Sequence, residues 1–132
     1  MTNNSVPISL APWLSVRNGA SAVEFYKSAF GATETFRIQS PDGAVVARLS
    51  IAGADFWLSD ESPEHHNYSP ETLGGGTVKL LLIVPDPDSM FAQAVAAGAT
   101  AVNQVHDDHG WRFGRVADPF GHHWEIGRPL EE

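Results

Sequence analysis

Hydrophobic residues change period along the chain, and each change marks an element. Ile8, Leu10, Leu14 and Val16 share one parity, the alternation of a strand that ends at Asn18-Gly19. Ala22, Phe25, Tyr26 and Ala29 then recur at helical spacing, which predicts a helix from about Ala20 to Phe30 with Gly31 as its stop. Three strands follow, Thr33–Gln39, Ala44–Ala52 and Asp55–Asp60, parted by the turns Ser40-Pro41-Asp42-Gly43 and Ala52-Gly53-Ala54. Beyond Glu61–Gly76 the order returns. A strand at Val78–Val84 leads through Pro85-Asp86-Pro87 into a helix, Asp88–Ala97, that ends at Gly98. Strands near Thr100–His106, Trp111–Val116 and His122–Gly127 complete the pattern.

The two halves are copies. Gly31-Ala32-Thr33 recurs as Gly98-Ala99-Thr100, and the same offset of 67 carries Gly43 onto Gly110, Arg48 onto Arg115 and Trp57 onto Trp124. The pattern is βαβββ twice, an α+β fold in a single domain over residues 1–132. Module 1 covers about 6–60, a Pro- and Gly-rich linker 61–76, and module 2 about 77–128. One helix shields one face of a βαβββ sheet and leaves the other bare. Two modules side by side therefore leave their uncovered faces as a half-barrel trough, the natural place for a ligand. Gly74-Gly75-Gly76 lacks the Lys-Ser/Thr of a phosphate loop and reads as a hinge between the modules, and His65-His66 belongs to a mobile linker.

Composition narrows the chemistry. With 132 residues and no cysteine, one core needs no disulfide staples, and a thiolate zinc site or cysteine nucleophile is excluded. Eight Lys+Arg against 16 Asp+Glu give a formal charge of −8, which argues against nucleic acid and membrane surfaces and for a cationic or neutral small-molecule guest. The apolar run Leu80 to Val84 is too short to span a bilayer, and Met1 to Ser9 has no signal-peptide character. A cytoplasmic protein is the expectation.

Three motifs carry a resemblance. Ala22-Val23-Glu24-Phe25-Tyr26 with Phe30-Gly31-Ala32, and Asp118-Pro119-Phe120-Gly121-His122, resemble the vicinal oxygen chelate superfamily of glyoxalases, bleomycin-resistance proteins and dioxygenases. Ser69-Pro70-Glu71-Thr72-Leu73-Gly74-Gly75 resembles its PhnB-like branch. The resemblance implies the glyoxalase/bleomycin-resistance fold and a homodimer. It also implies four divalent-metal ligand positions in the trough, falling on Ala11, on Leu58 (or Trp57 if the strand slips by one), on Lys79 and on Glu125. Only Glu125 can bind metal, whereas such centres need about three or four protein ligands. No cofactor is expected, and Glu125 is the one ligand available if a divalent metal is bound.

Alternation assigns Trp13, Phe56, Leu58, Lys79, Phe113, Arg115, His123 and Glu125 to the trough as ligand-binding residues. Lys79 either pairs with Glu125 in the vacated metal position or extends from the rim into water. His123 and Glu125, two apart on a strand, share a face. Together with Lys79 they are the candidates for acid–base work, or the pair serves as two metal ligands, the alternative for His123 being a polar neighbour of the cavity. Arg48 and Arg115 recur in both halves and suit pairing with an acidic neighbour or a dimer partner, or else substrate recognition. His106-Asp107-Asp108-His109 reads as a solvated hairpin loop, and the Asp118-Pro119-Phe120-Gly121 turn as structural. Two functions follow: a metal-free binding protein for a small organic, cationic or aromatic molecule, or a metal-dependent lyase, isomerase or dioxygenase.

Overall fold

The computed structural model describes residues 5–131. Met1–Asn4, part of the stretch read above as lacking a leader, lies outside the described residues. Module 1 comprises β1 (Trp13–Val16), α1 (Gly19–Phe30), β2 (Thr33–Gln39), β3 (Val45–Ile51) and β4 (Ala54–Asp60). Module 2 comprises β5 (Lys79–Ile83), α3 (Pro87–Ala97), β6 (Thr100–Asp108), β7 (Trp111–Ala117) and β8 (His123–Pro129). Between them stands a short helix, α2 (Pro70–Leu73). The sheets have the orders β1-β4-β3-β2 and β5-β8-β7-β6, with the first pair of each parallel and the rest antiparallel. This is the α+β arrangement of two βαβββ modules, with neither sheet closed into a barrel. Among the described residues no helix is long and apolar enough to cross a membrane.

Local chemistry sets the helix ends. Asn18 caps α1 by accepting from the Ser21 N–H, and Asp86 caps α3 by accepting from the Ser89 N–H, each cap contributing about 1 kcal/mol. Gly31 ends α1 with φ 69°, a left-handed conformation in which its N–H reaches the Lys27 carbonyl.

The core lies between the helices and the inward faces of both sheets. Val45, Ala47, Leu49 and Ile51 of β3 alternate inward, and α1 packs against α3, so the two modules share one apolar interior. Trp124 of β8 inserts into module 1, with its ring 4.6 Å from Phe30, 5.5 Å from Tyr26 and 5.6 Å from Phe56.

The Asp-Pro-Phe-Gly-His motif explains itself here. Buried Asp118 accepts from Tyr26 Oη in module 1, from Trp124 Nε1 at 2.9 Å, and from the Phe120 and His122 N–H groups at 2.9 and 3.0 Å. Two motifs 92 residues apart thus meet in one hydrogen-bonded joint. Burial, with the neighbouring Asp118 carboxylate adding to it, pushes the Tyr26 hydroxyl pKa well above its usual value, so Tyr26 remains a donor.

Several expectations are corrected. The first strand starts at Trp13; Ile8 and Leu10, assigned to its core side, precede it and are fully exposed. His106, Asp107 and Asp108 belong to β6, not to a loop: His106 pairs with Phe113, and only His109 and Gly110 turn the hairpin. The segment 61–76 carries specific contacts and a short helix where a mobile linker is expected. Glu61 accepts from the Ser69 N–H at 2.9 Å and the Thr72 hydroxyl at 2.8 Å, contacts that hold its pKa below the usual carboxylate range. Ser69, fully buried, caps α2. Gly121, with φ 93°, lies so close to the linker that a Cβ there would meet Pro70 Cβ at 2.8 Å.

Candidate functional site

The face of each sheet opposite the helices is open, and strand parity decides what it displays. In β4 the expected parity is reversed. Phe56 (3% exposed) and Leu58 (0%) belong to the core, and Trp57 faces outward. The reversal follows from the parallel pairing of Trp13 with Trp57 and of Leu14 with Leu58, since Leu14 and Val16 pack under α1. Trp13 stacks on Trp57 at 5.3 Å between centroids and 15° between planes, and donates from Nε1 to Ser59 Oγ at 2.9 Å. Arg48 lies 5.5 Å over the Trp57 ring and donates to Thr35 Oγ1. It therefore meets an aromatic ring and a hydroxyl, not an acidic partner.

In module 2 the open face carries charge. Glu125 Oε1 accepts from Lys79 Nζ at 3.2 Å, Arg115 Nε at 3.0 Å and Arg115 Nη2 at 2.8 Å. The Lys79 pairing with Glu125 is present, while the Lys79 side chain stays 55% exposed against 11% for that of Glu125. Burial alone would raise the Glu125 pKa; the hydrogen bonds from Arg115 and Lys79 outweigh it and hold the carboxyl below its usual value. Glu125 Oε2 and His123 Nδ1 are buried and have no hydrogen-bond partner among the described residues. Phe113 shares this open face, but its ring lies against His106, 4.8 Å between centroids.

A cavity of about 770 Å³ lies where β1 approaches β5 and β8. Trp13, Lys79, Arg115 and His123 line it, as do Tyr68, Pro70 and Leu73 of the linker. Glu125 and Phe113 are absent from its wall: the carboxylate sits behind the two cations. His122 ties the two modules beside this cavity by donating from Nε2 to the Ser15 carbonyl at 2.9 Å. The linker residues were missed because Pro- and Gly-rich composition suggested flexibility; the capping pattern of Ser69 with Pro70 and Glu71 was the available sign of order.

A model of the Glyoxalase-like domain matches residues 13–127. The chain belongs to that family. An uncharacterised protein of Mycobacterium bovis is 43% identical over 97% of this chain and 88% of its own length. A gene product of Arabidopsis thaliana of known structure is 32% identical, with a TM-score of 0.72 over 93% of this chain and 100% of that one. A fosfomycin resistance protein from Listeria monocytogenes, crystallised with manganese(II) and sulfate, shares the fold at a TM-score of 0.71 and 13% identity, over 95% of this chain and 94% of that one.

Structural equivalence within this Glyoxalase-like domain refines the metal positions. The helix caps Asn18 and Asp86 stand 68 apart, and the same shift carries Ala11 onto Lys79, Trp13 onto Leu81 and Trp57 onto Glu125. The strand pairings Trp13 with Trp57 and Leu81 with Glu125 agree, so Trp57 and not Leu58 falls at the second of the positions that the resemblance implies. These residues do not fit a divalent ion. Ala11 and Trp57 offer no donor, Lys79 is a cation, and Glu125 Oε1 already accepts three N–H groups. The two orphaned atoms, Glu125 Oε2 and His123 Nδ1, fall short of three ligands, and no group of three or more His, Cys, Asp or Glu converges among the described residues.

Proposed function

We propose that the protein binds a small organic molecule in the cavity between its two modules, without a metal. One observation carries the reading: where the resemblance places metal ligands, Lys79 and Arg115 occupy Glu125 beside a cavity floored by the exposed, stacked Trp13. A volume of about 770 Å³ suits a drug-sized ligand. An indole held flat by Trp57 and by a hydrogen bond to Ser59 offers a stacking surface whose orientation is fixed before the ligand arrives.

Metal analysis of purified protein, with a thermal-shift screen of Ni, Zn, Mn and Fe(II), tests this. Sub-stoichiometric metal and no shift that Glu125→Ala abolishes are expected. Stoichiometric metal held through Glu125 would overturn the reading.

We further propose a homodimer, and read the linker motif Ser69–Gly75 as a mark of the PhnB-like branch. Apolar side chains left open on both sheets support the dimer. Phe36, Ile38, Leu81 and Ile83 on the open sheet faces are each 40% exposed or more. Light scattering coupled to size exclusion checks it; a monomer at micromolar concentration would overturn it.

A further inference from the structure

The charge of the cavity wall is opposite in sign to that of the whole chain. Lys79 and Arg115 bring two positive charges to one carboxylate, and both cations line the cavity while Glu125 does not. Their donors are only partly used. Lys79 makes one hydrogen bond, and Arg115 turns Nε and Nη2 to Glu125 Oε1 with no protein partner at Nη1 among the described residues. Because all three contacts fall on the same oxygen, Glu125 fixes the two cationic heads beside each other and neutralises only half of their charge. His123, also in the wall, presents a second polar group on the same strand face.

We propose that the cavity binds an organic anion, a carboxylate or similar oxyanion on a planar aromatic body. The oxyanion is seated between Lys79 Nζ and the free edge of the Arg115 guanidinium, and the ring is stacked on Trp13. This rests on the small-molecule reading above and names its ligand class. An oxyanion accepts the unused N–H groups of both cations in charge-assisted bonds. A cationic guest would meet Lys79 and Arg115 first and be repelled, even though the protein as a whole carries −8. The lowered pKa of Glu125 keeps the carboxylate ionised at neutral pH, so the balance at the wall is one net positive charge there.

Three isosteric probes separate the outcomes: naphthoate, naphthylmethanol and naphthylmethylammonium, titrated against tryptophan fluorescence at low salt. Naphthoate is expected to bind about tenfold or more tighter than the alcohol, and the ammonium weakest, with the preference shrinking as salt rises. Lys79→Met should weaken naphthoate about tenfold and narrow its advantage over the alcohol. Glu125→Gln removes the competing negative charge while keeping an oxygen that accepts from both cations, and should tighten naphthoate, a direction that mere structural damage would not produce. Equal binding of naphthoate and alcohol, or a preference for the ammonium, overturns the anion assignment and leaves small-molecule binding standing. If none of the three binds, the binding reading falls with it.

Discussion

The two modules place an arginine at the same point and give it opposite partners. Arg48 pairs across its sheet with Trp57, and Arg115 with Glu125, each arginine facing the open side. In module 1 the guanidinium lies over an indole; in module 2 it grips a nearly buried carboxylate. One frame, duplicated, has thus divided its chemistry, with module 1 supplying the flat aromatic surface and module 2 the fixed charges. A second contrast is positional. Trp57 and Trp124, identical at the 67-residue offset, lie on opposite faces of their sheets, one facing outward and one 3% exposed in the core.

The joint between the modules is where the comparison breaks most easily. Asp118→Ala strands the Tyr26 hydroxyl, the Trp124 indole N–H and two backbone N–H groups in the interior. A loss of about 3–5 kcal/mol is expected in urea denaturation, and a single transition in the wild type would show that the halves unfold together. Trp124→Ala should cost about 3–5 kcal/mol through the cavity it opens, and Trp57→Ala less, about 1–2 kcal/mol, for its contacts with Trp13, Phe36 and Arg48. Equal costs would contradict the opposite facing of the two rings.

The arginines form a finer pair. Arg115→Ala leaves Glu125 with Lys79 alone and should destabilise by about 2 kcal/mol, less than for a fully buried pair because Lys79 remains. Arg48→Ala should cost about 0.5–1 kcal/mol, the scale of a partly exposed cation–π contact. Smallest is a pH effect. The folded-state pKa of Glu125 is depressed, so its stabilisation is present above the unfolded value of about 4.3 and is lost as pH falls through the lower folded value. The stability advantage of wild type over Glu125→Gln should shrink across that acidic window and stay flat from pH 6 to 8; a gap that widened on acidification would contradict the pairing.

Much of this was legible in the sequence. Periodicity located every strand and both long helices, because each has a face committed to one core. It failed for Ile8 and Leu10, whose alternation has no sheet partner among the described residues, and at Phe56 and Leu58, where three consecutive large apolar residues give no parity and only pairing with β1 selects the inward pair. The repeat found the recurring arginines. Its offset of 67 concealed the shift of 68 that governs β1 against β5 and β4 against β8. Net charge sums a whole surface, whereas the cavity wall is set by Lys79 and Arg115 standing in front of Glu125, so the guest expected from the one and the anion proposed from the other differ in sign. Nor could composition reveal that Tyr68, Pro70 and Leu73 are held against the cavity by the Glu61 and Ser69 contacts.

The proposed replacement of a metal by a pair of fixed cations is tested by calorimetric titration of naphthoate into the protein before and after exhaustive chelation. The same affinity is expected in both states, unaltered by adding back Mn or Ni and weakened by Lys79→Met. Binding that disappears with the chelator and returns with the metal would contradict it.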